Sequence, residues 1–245
     1  MADEVTYHHL VTAFTTFLTV SVHTILFERA IYPTNSFITA RKYNYPVRQN
    51  RHPRVCKWIT DAISAVETEL LKCSVDRVAV VIYNGQDRPL ERFMFDVSRF
   101  PTVPTTEQNT PLERRDEKGN KIAILPAGDL EEQFRATMSR LSGCGTRLRK
   151  IPDGCTFTIA VELKDDKEPP IGHPQAWIPA QPQLRKTTRK DGDKSHEIRG
   201  EELGGQKVIP VRTISAGDML LEVWMEEGKS KFEERRHSDG STDSG

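Results

Sequence analysis

The sequence predicts an α+β domain in which three helices pack on a mostly antiparallel sheet. Residues 5–31 contain neither glycine nor proline and carry apolar side chains at helical spacing, which predicts a long helix that is buried on more than one side. Asn84-Gly85 separates two strand-like runs, which is the pattern of a β-hairpin. Helices and strands do not alternate along the chain as they do in a βαβ array, and this order favours the α+β class.

The helical pattern continues after the first helix. That helix is predicted to end at Tyr32-Pro33, because the residue before a proline is pushed out of the helical region. A second helix is predicted to begin near Pro53, since proline suits a first helical turn, and it places Trp58 at the flank of its apolar stripe. Residues 36–47 are rich in aromatic and basic side chains and are interpreted as a connector.

Strands are predicted where apolar residues alternate or cluster with β-branched residues. Residues 75–83 and 90–97 form the two arms of the hairpin. The run CTFTIAVEL, at 155–163, alternates cleanly and predicts a half-buried strand. Two late strands are predicted at 207–214 and 219–225.

The third helix and the flexible segments complete the pattern. Asp129 and Glu132 form an Asp variant of the capping box and open the third helix. Polar stretches that offer little to bury predict flexible loops at 101–128 and 181–206, and a disordered tail at 228–245.

Charge and hydropathy disfavour nucleic-acid binding and membrane insertion as the main role of the protein. Lys+Arg and Asp+Glu number 35 each, whereas a protein that holds nucleic acid through phosphate contacts usually has a basic surplus. Direct nucleic-acid binding is therefore disfavoured as the main role. The basic stretch 185–194 admits two interpretations, a nuclear-localisation or nucleic-acid patch and a solvated loop, and the loop is favoured. No apolar run is expected to span a bilayer and no signal peptide is recognised, so the nucleus, or else the cytoplasm, is the expected compartment.

The sequence contains no recognisable catalytic constellation. There is no phosphate-binding P-loop, no Gly-x-Ser-x-Gly elbow and no His-Glu-x-x-His motif. The four cysteines are widely spaced without a Cys-x-x-Cys pair, which favours reduced thiols over a metal site. His23 lies inside the first helix, where a hydrogen-bonded core histidine is favoured over a catalytic base. The sequence therefore predicts a non-enzyme with no catalytic residue, no cofactor and no metal.

The three tryptophans are the candidate binding residues. Trp177 stands as an apolar island between polar segments, so its ring must bury against something, and large aromatic side chains are favoured anchors at interfaces. Trp58 and Trp224 have two interpretations of equal weight, which are a role in binding a partner and ordinary packing in the core.

Several motifs, taken in order, resemble a HORMA domain. They are VSVHTILFERAIYP at 20–33, KYNYPV at 42–47, HPRVCKWITDAI at 52–63, PDGCTFTIAVEL at 152–163 and WIPA at 177–180. Within the HORMA family, YNYPV and PDGCTFT make the chain most similar to accessory subunits of DNA polymerase zeta. Spindle-checkpoint HORMA proteins are the alternative.

The resemblance implies a fold and a mechanism. It implies a single HORMA domain over residues 1–227, with a core at 5–163 and a C-terminal "safety belt" at 164–227 that closes over an extended peptide of a partner. The peptide would add to the sheet as a strand, with affinity from backbone hydrogen bonds and selectivity from side-chain pockets. The implied role is that of a non-catalytic adaptor in error-prone translesion DNA synthesis. The alternative is a spindle-checkpoint regulator of the anaphase-promoting complex.

The resemblance also implies partners and contact residues. The positions that match contacts to a proline-containing ligand motif are Trp58, Trp177, Val208, Glu222 and Trp224. Arg135 matches a charged position on the surface used for self-association or partner binding. The implied partners are the catalytic subunit of DNA polymerase zeta, a scaffold Y-family translesion polymerase, and a second HORMA domain in a homodimer or heterodimer. No membrane and no directly bound nucleic acid are expected.

Overall fold

The structure is a computed structural model, and it describes most of the chain. The described residues are 5–112, 114–115, 118, 121–122, 127–165, 167, 187–189, 196–198, 205–216, 219–228 and 230–231. Trp177, which the sequence analysis singled out, lies outside them.

Four helices and eleven strands are assigned within the described residues. In chain order they are α1 (Tyr7–Glu28), β1 (Phe37–Lys42), β2 (Tyr45–Asn50), α2 (Pro53–Leu71), β3 (Val75–Tyr83), β4 (Pro89–Arg99), β5 (Arg114–Arg115), β6 (Lys121–Ile122), α3 (Ala127–Leu141), α4 (Cys144–Arg147), β7 (Thr156–Leu163), β8 (Thr187–Arg189), β9 (His196–Ile198), β10 (Gly205–Ala216) and β11 (Met219–Gly228).

The centre of the fold is a five-stranded antiparallel sheet in the order β10-β11-β4-β3-β7. One face of the sheet packs against α1, α2 and α3, and the side chains that β3 and β4 turn towards the helices include the fully buried Val80, Ile82, Phe93 and Phe95. The predicted architecture, three helices on a mostly antiparallel sheet, is confirmed. The predicted hairpin is β3 and β4, and the two late strands are β10 and β11.

Helix α1 is the core helix of the domain. Its 22 residues are apolar around most of the circumference, and the Phe17 ring stacks on Phe134 of α3 with centroids 4.4 Å apart. By length and composition alone, α1 could cross a membrane. The expectation that no apolar run is long enough to span a bilayer is therefore wrong for this helix. The physical reason is that a helix covered by α2, α3 and the sheet needs apolar side chains on nearly every side.

Within the segment 36–47, interpreted as a connector, residues 37–47 belong instead to the antiparallel hairpin of β1 and β2. The turn is formed by Tyr43 and Asn44, both at positive φ (52° and 53°). The Tyr43 ring is buried against Phe17 and Phe134, so the tip of the hairpin is fixed to the core. The connector interpretation is therefore wrong.

The structure assigns elements and contacts within the two segments that were interpreted as loops. Within the predicted loop 101–128, residues 101–112 pack on the domain: the buried Gln108 donates to the carbonyl of Leu71, and the Leu112 N–H donates to the carbonyl of Val5 at 2.8 Å. Helix α3 begins at Ala127, inside that loop, and β8 pairs with β9 inside the loop predicted at 181–206.

Candidate functional site

The sheet has two edges, and the edge at β10 is already occupied. Pro210 has no N–H to donate, and the register between β10 and β11 shifts between Pro210 and Arg212. Arg147 donates to the Pro210 carbonyl at 3.1 Å, while Gln133 of α3 bonds both the N–H and the carbonyl of Ser215, at 3.0 and 2.6 Å. A proline, an irregular register and side-chain caps are features that keep an edge strand from pairing with another chain.

The opposite edge, at β7, has no neighbouring strand among the described residues. Within the described part of the chain, β7 pairs with β3 alone, in a register that sets Ile159 opposite Val80. The N–H and carbonyl groups on the outer side of its eight residues have no described strand or side chain as a partner. Such an edge is a template to which a further strand can add.

An apolar wall flanks β7 on the helix side. The Trp58 ring of α2 meets the Phe157 ring of β7 edge-on, with centroids 5.0 Å apart, and Tyr32 meets the same ring at 6.4 Å. Val55 and Ala62 continue the wall along α2, and all five side chains are half-buried. Burial raises the pKa of the Tyr32 hydroxyl, so the wall carries no charge near neutral pH. This wall suits the apolar side chains of an added strand.

Trp224 lies on the other face of the sheet. Its ring packs in a small apolar cluster with Ala79 and Met94, and its Nε1 donates to Glu226 at 2.7 Å. Glu226 in turn pairs with Arg92 at 2.6 Å. Trp224 is therefore held in place by packing and by a hydrogen-bonded ion pair.

Val208 and Glu222 lie near Trp224 and away from β7. Val208 is 59% exposed on β10 and faces Glu226 across the strand pair, while Glu222 is exposed on β11. Three strand spacings separate β7 from β11, which amounts to about 14 Å. The structure thus divides the described residues that the resemblance grouped into one ligand site: Trp58 lies beside the β7 edge, and Val208, Glu222 and Trp224 lie on a second surface.

Arg135 lies on α3, where its side chain is 41% exposed and pairs with Glu132 one helical turn away. Its charge is therefore accessible to a partner. No group of three or more His, Cys, Asp or Glu residues that could hold a metal ion occurs within the described ranges.

Sequence reasoning missed two groups of residues in the site. Tyr32 was taken only as the end of a helix, and nothing in local spacing shows that it approaches Phe157. The side chains that occupy the β10 edge, Gln133 and Arg147, carry no sequence signal because their partners are distant backbone groups. The alternation of 155–163 did place Phe157 on the buried face, and that prediction is confirmed.

Comparison with known proteins agrees with this geometry. A HORMA domain family model matches residues 11–204. The DNA polymerase zeta processivity subunit of Schizosaccharomyces pombe is 33% identical over 210 residues, which cover 86% of this chain and 89% of that protein. Mitotic spindle assembly checkpoint protein MAD2B of Danio rerio is 28% identical over 220 residues, covering 88% of this chain and 89% of the relative.

Solved structures share the fold. One, from the crystal structure of the mitotic checkpoint complex, superposes with a TM-score of 0.62 at 18% identity and covers 89% of this chain and 98% of that chain. Another, Caenorhabditis elegans HTP-2 bound to a HIM-3 closure motif, has a TM-score of 0.59 at 11% identity and covers 91% of this chain and 92% of that chain. The match of the family model over most of the sequence, together with this shared architecture, shows that the chain belongs to the HORMA domain family.

Proposed function

We propose that this protein is a non-catalytic adaptor that binds an extended peptide of a partner protein along the β7 edge. The observation that carries the proposal is the asymmetry of the sheet: the β10 edge is capped by Gln133 and Arg147, while the β7 edge is open in the described structure and flanked by an apolar wall. Main-chain pairing to β7 supplies affinity, and the wall supplies selectivity.

The names of the relatives support a more specific role. A DNA polymerase zeta processivity subunit is among them, so we propose the catalytic subunit of DNA polymerase zeta as the peptide donor and translesion DNA synthesis in the nucleus as the process. The safety belt at 164–227, including Trp177, would close over the bound peptide. Enclosure acts mainly on the dissociation rate, because the belt must open before the peptide leaves.

The second surface, formed by Val208, Glu222 and Trp224, fits a different partner. It lies three to four strand spacings from β7, so a protein docked there does not compete with the peptide. We propose the scaffold Y-family translesion polymerase as its occupant and the exposed Arg135 surface of α3 as the site of HORMA dimerisation. A chain with these separate surfaces can bridge partners without any chemical step of its own.

Two tryptophan variants test the peptide site. The ligand is a set of proline-containing peptides tiled from the polymerase zeta catalytic subunit, with affinity and dissociation rate measured by biolayer interferometry. Trp58→Ala is expected to weaken binding by about 30-fold, as truncation of an aromatic anchor at an interface does. Trp224→Ala, the matched control on the second surface, is expected to leave the affinity unchanged. Equal losses for the two variants, or no loss for Trp58→Ala, would refute the β7 site.

The second surface is tested with the Val208→Glu variant. Because Val208 is exposed, this change should leave the fold intact while placing a charge on the surface. Binding of the scaffold polymerase domain is expected to fall and peptide binding to persist. Loss of both activities would contradict the separation of the two surfaces.

An alternative role follows from the relatives named as mitotic spindle assembly checkpoint proteins. In that role the same edge would bind a peptide of a checkpoint or anaphase-promoting partner. Affinity purification from cells after DNA damage separates the two roles. Recovery of polymerase zeta subunits supports the first, and recovery of checkpoint components in their place supports the second.

A further inference from the structure

The hairpin of β1 and β2, together with the start of α2, forms a surface whose charge differs from that of the whole chain. No Asp or Glu occurs between Glu28 and Asp61, although the chain has as many acidic as basic residues. Six lysine and arginine side chains in this stretch are exposed. Five of them are called here the basic ribbon: Arg41, Lys42, Arg48, Arg51 and Arg54.

The hairpin part of the ribbon is held in place. The Arg48 guanidinium lies over the Phe27 ring at 4.6 Å and donates to the Thr39 hydroxyl at 2.8 Å. The Lys42 ammonium lies 5.3 Å from the centre of the Tyr43 ring, which is itself buried in the core. These two cations are already restrained, so binding a partner costs them less side-chain entropy than it would cost mobile side chains.

The junction between the hairpin and α2 is also fixed. Asn50 is 1% exposed, and its side-chain oxygen accepts the His52 N–H at 2.8 Å while its Nδ2 donates to the Ser36 hydroxyl at 3.0 Å. The Arg51 N–H bonds the Ser36 carbonyl at 2.9 Å. Arg51 and Arg54 thus stay in a defined position relative to the hairpin.

Four cations of the ribbon lack an acidic partner. Arg41, Lys42, Arg51 and Arg54 form no ion pair within the described ranges, unlike the exposed Lys57 and Arg77, which pair with Asp61 and Asp96, both at 2.9 Å. Clustered basic side chains that form no ion pair leave a positive potential that attracts an anionic partner.

We propose that the basic ribbon binds the sugar–phosphate backbone of duplex DNA. Arginine presents a planar fork of donors that matches phosphate oxygens, and contacts to the backbone need no particular base sequence. The inference rests on the proposed function, since a polymerase subunit acts beside DNA.

An acidic protein segment fits this surface less well. Protein interfaces are built around buried apolar or aromatic anchors. Among the described side chains of the hairpin, Ile38, at 45% exposure, is the one that ranks as an exposed large hydrophobic residue. The ribbon therefore has many charged side chains and few apolar side chains that could anchor a protein. This composition favours a polyanion that is held by phosphate contacts.

The test uses the full chain and a short, fluorescein-labelled duplex of mixed sequence, with binding followed by anisotropy between about 50 and 200 mM KCl. The ribbon variant carries Arg41→Gln, Lys42→Gln, Arg51→Gln and Arg54→Gln. The control variant removes the same charge from exposed positions outside the ribbon: Lys72→Gln, Arg88→Gln, Arg99→Gln and Lys150→Gln.

The wild-type chain is expected to show a slope of log affinity against log salt of about −3 to −4, as for roughly four phosphate contacts. The ribbon variant should lose about 10-fold or more in affinity at the lowest salt and most of the slope, while the control variant keeps both. Equal losses in the two variants, or no binding by the wild type at about 50 mM KCl, would overturn the proposal.

Two further measurements distinguish DNA binding by the ribbon from binding of an acidic protein and from the proposed peptide site at β7. If an acidic peptide of equal charge binds the ribbon more tightly than DNA does, the partner is a protein and the DNA proposal fails. The β7 peptides report independently on the proposed function: Trp58→Ala should lose the peptides and keep DNA, and the ribbon variant should lose DNA and keep the peptides.

Discussion

The protonation of His23 is linked to folding. Its side chain is 6% exposed within α1, and its Nδ1 accepts the Asn50 N–H at 3.3 Å. Burial lowers the pKa of His23 from 6.5 to about 4. The sequence predicted a hydrogen-bonded core histidine at this position, and the structure confirms it.

This lowered pKa predicts a loss of stability in mild acid. The unfolded chain binds a proton at His23 below about pH 6.5, while the folded chain does not until about pH 4. The free energy of unfolding should therefore be unaffected by His23 above about pH 6.5 and should fall by up to 1.4 kcal/mol per pH unit below it, roughly 3 kcal/mol in all. Urea unfolding across this pH range measures the slope. His23→Asn, which can still accept the Asn50 N–H but does not titrate, should reduce it.

The comparison of His23→Asn with the wild-type chain over the same pH range decides whether His23 is responsible. If His23→Asn and the wild type lost stability in parallel between about pH 6.5 and 4.5, burial of a neutral His23 would not be the cause of the pH dependence.

The tryptophans show what residue-level reasoning can and cannot predict. The spacing of apolar residues in α2 placed Trp58 at the flank of a helical stripe, and the structure has it half-buried there. Spacing could not show that Phe157 lies against it, because the two residues meet only through the packing of distant elements. The same limit applies to Trp224: alternation assigns a residue to a face of its strand, but not to one of the two surfaces of the domain.

At the scale of elements, the hairpin of β1 and β2 was missed for a physical reason. Its turn is Tyr43-Asn44, which lacks the glycine of the usual two-residue turns. Strand β1 buries one residue, Phe37, so it has no clear alternation of apolar and polar residues. The turn is stabilised by burial of the Tyr43 ring in the core, and this tertiary contact is absent from local sequence.

The positive φ of Asn44, at 53°, gives a prediction about this hairpin. Asn44→Val should lower the free energy of unfolding by about 1–2 kcal/mol, because a β-branched residue is strained in the left-handed region. Asn44→Gly, the matched control, should change it by less than about 0.5 kcal/mol, since glycine adopts this conformation without a steric cost. Denaturant unfolding of the two variants measures the difference. Equal effects would mean that the side chain of Asn44, and not its backbone conformation, matters at this turn.

The capped edge at β10 gives a second prediction at this scale. Gln133 bonds both backbone groups of Ser215, so Gln133→Ala should lower the free energy of unfolding by about 1–2 kcal/mol. Ser139→Ala, an exposed change on the same helix, should have little effect. Hydrogen exchange at the Ser215 amide should rise in the Gln133 variant alone. Unchanged exchange would show that the cap does not protect this edge.

At the scale of the whole molecule, a buried charged cluster joins the end of α1 and strand β4 to the last described residues. Arg29, which caps α1, donates to both carboxylate oxygens of Glu91 on β4, at 2.8 and 2.7 Å. Lys231 also bonds Glu91 and reaches Glu227 of β11 at 2.6 Å. Burial alone would raise the pKa of Glu227, but hydrogen bonds from Lys231 and from the Arg149 N–H outweigh it and lower the pKa.

The order of elements and their packing on one face of an antiparallel sheet could be predicted, because both depend on local periodicity. The charged cluster could not. Charged residues near the end of a sequence are normally solvated, and for that reason the tail was placed at 228–245 and called disordered. In the structure β11 continues to Gly228, and the Lys231 side chain is 2% exposed. The pairing of Lys231 with Glu91 spans most of the chain, so no window of sequence contains it.

This cluster predicts that the last described residues stabilise the domain and hold β11 against β4. Lys231→Met should lower the free energy of unfolding by about 3–5 kcal/mol, because it removes one of the two buried cations that neutralise the buried carboxylates of Glu91 and Glu227. A chain that ends at Glu227 should lose at least as much, since it lacks Lys231 altogether. Lys72→Met provides the control: this lysine also pairs with a glutamate, but it is 57% exposed and its pair should contribute less than about 1 kcal/mol. Chemical unfolding of the three variants tests the ranking. If Lys231→Met lowered the free energy of unfolding no more than Lys72→Met does, the buried Lys231 would not be needed to hold β11 against β4.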